Sequence, residues 1–115
     1  MTASALAVVA IPQGEAFRFL PPSSSREDMV SIEALAPNGR RITLAVLGAS
    51  GRSFHAAALQ AAPSLRTPRP GLPPTPVLHV SVEGTWEANP NPKRGRPAWT
   101  LRVHSWDIVD ADALA

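Results

Sequence analysis

A mainly β domain with one short helix is what this sequence predicts, and three observations predict it. Apolar and polar residues alternate with a period of two in several short runs, Asn38-Gly39 stands between two of those runs, and only one stretch, rich in alanine, has helical composition. At 115 residues the chain is expected to form a single domain over residues 1–115, because a second core would have almost nothing to bury. With 44% hydrophobic and 17% charged residues it is too apolar for a disordered chain, while 13 prolines demand extensive loops.

Leu6 to Ile11 is a short apolar run carrying the β-branched Val8, Val9 and Ile11, and it stops at Pro12. Ala16 to Leu20 continues it beyond a break at Gly14, which reads as a bent first strand. Residues 21–28, with two prolines and three serines, form a flexible loop. Met29 to Leu35 is the second strand, with Val30, Ile32 and Ala34 inward and Ser31 and Glu33 outward. Pro37-Asn38-Gly39 supplies a turn, since Asn and Gly tolerate positive φ. Arg40 to Leu47 then alternates again, turning Ile42, Leu44 and Val46 inward and Arg41, Thr43 and Ala45 outward.

Gly48 to Gly51 breaks the alternation, and Ser53 is suited to cap a helix over Phe54 to Ala62 that Pro63 ends. Residues 63–76 contain six prolines and read as an extended connector. Val77 to Trp86 is the fourth strand, with Leu78, Val80, Val82 and Trp86 on one side. Trp99 to Val109 is the fifth, and its alternation slips near Ser105-Trp106, as a bulge would make it. Residues 87–98 between them form a polar loop carrying Lys93, Arg94 and Arg96.

Three strands, a helix and two more strands is the order of a five-stranded OB-fold barrel, whose single helix lies between strands 3 and 4. The alternative is a small open antiparallel sheet with the helix packed across one side. Val46-Leu47-Gly48 ahead of an Ala-rich helix, Val80-Ser81-Val82-Glu83-Gly84, a charged hairpin tip and the closing Leu101-Arg102-Val103 and Asp107-Ile108-Val109 together resemble the bacterial single-stranded DNA-binding protein family. The resemblance spans roughly residues 5–110. It implies a non-catalytic protein that holds single-stranded DNA, or else RNA or duplex, in replication, recombination or plasmid maintenance. It also implies a homodimer or homotetramer built by pairing edge strands.

The departures from that family bear on its stacking aromatics. Leu47 stands where the family has an aromatic before the helix glycine, and Arg41 where it has one at the start of the third strand. Trp86, nearest to a third such position, shares the inward parity of Val80 and Val82. A stacked base is worth ~1–3 kcal/mol, so binding weakens by orders of magnitude unless arginine planes substitute. A second function is therefore open: a protein-interaction module that has lost strong nucleic-acid binding and docks a partner through Trp106 or the Pro-rich 63–76 segment.

The charge balance permits a polyanionic partner. Eleven cations face nine anions, but Asp107, Asp110 and Asp112 make the C-terminal end acidic, which leaves +5 on residues 1–106. Arg40 and Arg41 would flank the groove and neutralise phosphates, although Glu33 projects from the neighbouring strand and repels a backbone unless Arg41 pairs with it. Lys93, Arg94 and Arg96 sit in a string whose Arg94-Gly95-Arg96-Pro97 resembles the core of AT-hooks, in which arginines enter a minor groove; the alternative is a solvated turn. Arg102, His104 and Trp106 share one parity of the last strand, suited to stacking a base or to a subunit contact, unless the bulge draws Trp106 inward. Trp86, Trp99, Phe17, Phe19 and Phe54 read as core.

Catalysis finds no support. The three histidines lie in different segments without metal-ligand spacing, no phosphate-binding glycine loop precedes a Lys-Ser or Lys-Thr pair, and there are no cysteines for thiolate chemistry, zinc or disulfides. The expectation is a non-enzyme without metal or cofactor. No apolar run approaches the ~18 residues of a membrane span and no basic residues precede the apolar start, so a cytoplasmic location without a membrane partner is expected.

Overall fold

A computed structural model of the chain describes residues 4–12, 17–62, 76–89 and 97–111. Its elements run β1 (Ser4–Pro12), β2 (Arg18–Leu20), β3 (Met29–Leu35), β4 (Arg41–Leu47), α1 (Gly48–Ala61), β5 (Pro76–Ala88) and β6 (Trp99–Ala111). The bent first strand is divided in two. β1 pairs antiparallel with β5 from Ser4↔Thr85 to Ile11↔Leu78, while β2 pairs with β3 from Arg18↔Ser31 to Leu20↔Met29. One stretch of chain thereby serves two neighbours. Because the division adds a strand, the helix falls between the fourth and fifth strands by count.

The sheet order is β1-β5-β6-β4-β3-β2, and the Ala10↔Leu35 pairing of β1 with β3 closes it into a five-stranded barrel of the OB-fold type. The open-sheet alternative is excluded by that closure. All pairings are antiparallel except β4 with β6, which run parallel from Thr43↔Thr100 to Val46↔Val103. The alternating runs place their apolar sets as expected: Val30, Ile32, Ala34, Ile42, Leu44, Val46, Leu78, Val80 and Val82 are all buried. Fully burying a Val, Leu, Ile or Phe side chain contributes ~1.5–3 kcal/mol, so this interior dominates stability.

Two bulges bend β6 around the barrel. Glu83 pairs with Ser105 but Gly84 with Val103, which leaves His104 as an extra residue, and Val109 is the extra residue between the Asp110 and Ile108 pairs. The first bulge needs Gly84. A Cβ there would stand 2.1 Å from the Arg102 carbonyl oxygen.

The helix starts six residues earlier than the Ser53 cap suggests. Its N-cap is Leu47, and the Gly48 N–H donates to the Asp28 carbonyl at 2.7 Å. Gly48 to Gly51 look like breakers, yet Gly51 is buried in the helix because a Cβ would meet the Val46 carbonyl oxygen at 2.4 Å. Here glycine answers a close helix-to-strand approach and not a turn. Phe54 and Ala58 point from α1 into the core, joined by Ala62 just beyond its end. Among the described residues no helix is long and apolar enough to cross a membrane.

Candidate functional site

The β5–β6 hairpin outruns its neighbours. β5 and β6 have 13 residues each against seven in β4, and the β1 pairing ends at Thr85. Trp86 and Trp99 keep the inward parity of Leu101, but at this end, among the described residues, no strand stands opposite them. They face the β3–β4 turn across a groove of about 630 Å³ lined also by Asn38, Arg40, Arg41 and Ile42. Their rings meet edge to face, centroids 6.5 Å apart. Trp86 is half-buried, whereas Trp99 is 49% exposed and thus a correction to its assignment as core.

Both walls of the groove are held by hydrogen bonds. In the turn, the Gly39 N–H donates to the Ala36 carbonyl (2.8 Å), the Ala36 N–H to the Arg40 carbonyl (2.9 Å) and the Arg40 N–H to Asn38 Oδ1 (3.0 Å), with Gly39 at φ 83°. In the hairpin, Asn89 donates through its N–H to the Ala98 carbonyl (2.9 Å) and through Nδ2 to the Pro97 carbonyl (2.7 Å), and Thr100 Oγ1 donates to Asn89 Oδ1 (2.8 Å). Asn89 therefore sets the position of Trp99.

The outer face of the barrel adjoins this groove. Register aligns Glu33, Thr43, Thr100 and Glu87 in one row across β3, β4, β6 and β5. Carboxylates stand at the two ends of that row and hydroxyls in the middle. Arg41, two residues from Thr43, forms an ion pair with Glu33, which is the pairing that the sequence left open. Arg102, two residues from Thr100, pairs with Glu87 at 3.2 Å. A third pair, Arg52 with Asp28 at 2.5 Å, joins α1 to the loop before β3. Arg40 is exposed and forms no ion pair among the described residues.

The stripe Arg102, His104, Trp106 does not exist as a surface. The bulge at His104 leaves Arg102 and His104 outward, where His104 Nε2 lies 2.8 Å from Thr85 Oγ1, and turns Trp106 toward the core. Trp106 packs edge to face on Phe54 at 5.3 Å and its Nε1–H donates to Ser50 Oγ at 3.1 Å. Trp106 therefore stands partly buried on the opposite side of the strand from Arg102 and His104. Of the other residues singled out in the sequence, Arg40 and Arg41 line the groove and Arg102 lies on the adjoining face, while Lys93, Arg94 and Arg96 lie outside the described residues, as do residues 63–75 of the Pro-rich segment.

Phe54 is core, as expected, but Phe17 and Phe19 do not simply pack inward. Their rings flank His55 at 4.7 and 4.8 Å, and Phe19 is largely exposed. Trp99 is the site residue that parity missed. The signal that identifies it is strand length: an inward-facing residue counts as buried only where a neighbouring strand reaches it.

Compared with known proteins, the chain matches no family model, no curated protein and no solved structure.

Proposed function

We propose that this chain binds single-stranded nucleic acid, DNA in the first instance, without catalysing a reaction. The observation that carries this reading is the convergence of Trp86, Trp99, Arg40 and Arg41 on one groove at an open end of the barrel. A flat, exposed indole beside guanidinium groups suits a ligand made of planar bases on a phosphate thread. A base on Trp99 would gain ~1–3 kcal/mol and each neutralised phosphate would release counterions. Lys93, Arg94 and Arg96 fall in sequence between the two hairpin arms and would add phosphate contacts.

A homodimer or homotetramer accompanies this reading. Among the described residues β1 pairs along one edge with β5 but meets β3 only at Ala10, and it exposes Leu6 and Val8. Such an edge is protected best by a second strand, and several weak sites in one assembly reinforce one another. The setting would be replication, recombination or plasmid maintenance in the cytoplasm.

The second reading, a protein-interaction module, is favoured by one observation: Arg41 and Arg102 already neutralise Glu33 and Glu87. Titrating the protein with fluorescently labelled dT oligonucleotide and with duplex at two salt concentrations separates the two. Preference for the single strand with a steep salt slope supports nucleic-acid binding; no association at low salt removes it.

A further inference from the structure

The two ion pairs on the outer face repeat one arrangement. Each carboxylate ends the row Glu33, Thr43, Thr100, Glu87, and each arginine lies diagonally from it on the adjacent strand. The arginines are the more open partner or an equal one: the Arg41 side chain is 52% exposed against 18% for Glu33, and Arg102 43% against 45% for Glu87. A ligand approaching from solvent therefore meets guanidinium groups whose charge is already answered from within the sheet.

We infer that Glu33 and Glu87 act as built-in phosphate mimics, occupying Arg41 and Arg102 so that the face admits only a ligand that brings bases as well as phosphates. This inference rests on the nucleic-acid reading and adds the means by which the site selects its ligand. Exchanging a carboxylate for a phosphodiester on the same arginine trades one charge-assisted pair for another and yields little net affinity. A bare polyanion gains almost nothing by it. A single strand gains in addition the stacking of a base on the exposed Trp99, about five- to 150-fold per base, and that increment decides binding. Masking thus converts an electrostatic surface, which would accept any polyanion, into one selective for unpaired bases.

The test uses the full chain as wild type, Glu33→Gln, Glu87→Gln and the double variant, with labelled dT oligonucleotide as probe and inorganic polyphosphate as competitor. Glutamine keeps the shape and hydrogen bonding of the side chain and removes its charge. Each single variant is expected to bind dT about 1.5- to fivefold more tightly, the double variant by the product, as exposed ion pairs of this strength predict. The slope of log affinity against log salt should steepen by about one per carboxylate removed. Polyphosphate should displace the oligonucleotide from the double variant at concentrations that leave the wild-type complex intact.

Unchanged affinity, slope and competition in folded variants, with wild type still binding dT, would overturn this inference alone. Failure of the wild type to bind dT at low salt would overturn the nucleic-acid reading and this inference with it, whether or not the variants gain binding. Glu87, exposed on the hairpin, carries the test by itself if the Glu33 variant melts below wild type.

Discussion

The indole N–H of Trp106 donates to Ser50 Oγ at 3.1 Å, which ties the last strand to the first turn of α1. The same ring packs on the buried Phe54. Trp106→Ala should therefore lower stability by ~2–4 kcal/mol and Ser50→Ala by ~0.5–1.5 kcal/mol in urea denaturation. Neither change should move dT affinity by more than about twofold, because this corner lies beyond the helix end of β4, away from the groove.

Two glycines should differ in cost because they answer different constraints. Gly39 has φ 83° with open space around it, so Gly39→Ala should cost ~1–2 kcal/mol of backbone strain. A Cβ at Gly84 would stand 2.1 Å from the Arg102 carbonyl oxygen, so an alanine there must push β5 and β6 apart at the bulge. Gly84→Ala should cost at least ~3 kcal/mol or abolish the cooperative transition, a ranking readily checked by urea midpoints.

Removing a groove cation should be legible in the salt dependence. Arg40→Ala is expected to weaken dT binding and to reduce the slope of log affinity against log salt by about one, measured by anisotropy across a salt series. Changing Lys93, Arg94 and Arg96 together to alanine should flatten the slope further. An unaltered slope in the triple variant would assign those residues to making the turn.

Loss of the exposed platform should instead act on affinity with little effect on slope. Trp99→Ala should weaken dT binding about five- to 150-fold at fixed salt, while duplex binding changes far less. Comparable losses for dT and duplex would argue against stacking.

Period-two alternation reported the strands faithfully where both faces have neighbours. Met29–Leu35 begins and ends where its pattern does, and Ile42, Leu44 and Val46 point inward as their spacing dictates. The order of elements around one Ala-rich helix pointed to the barrel but left an open sheet possible, and only the Ala10↔Leu35 pairing of β1 with β3 decides between them. What alternation lacks is any measure of where a neighbouring strand stops, so Trp86 and Trp99 look alike from sequence although only Trp99 stands half in solvent. It also lacks register. The Arg102–Glu87 pair depends on Glu87 facing Thr100, a register of β5 against β6 that alternation within either strand does not specify. The Glu33–Arg41 pair was legible as an option because one tight turn at Asn38-Gly39 sets the register of β3 against β4. The early helix start was hidden because Gly51 serves packing, and a glycine needed for close approach is indistinguishable in sequence from one needed for a turn.

The most direct measurement is an NMR titration of the three tryptophan indole N–H signals with dT oligonucleotide. Binding in the groove predicts a large shift for Trp99 and a smaller one for Trp86, with Trp106, bonded to Ser50, unmoved. A response confined to Trp106, or none from Trp99 at saturating oligonucleotide, would contradict it.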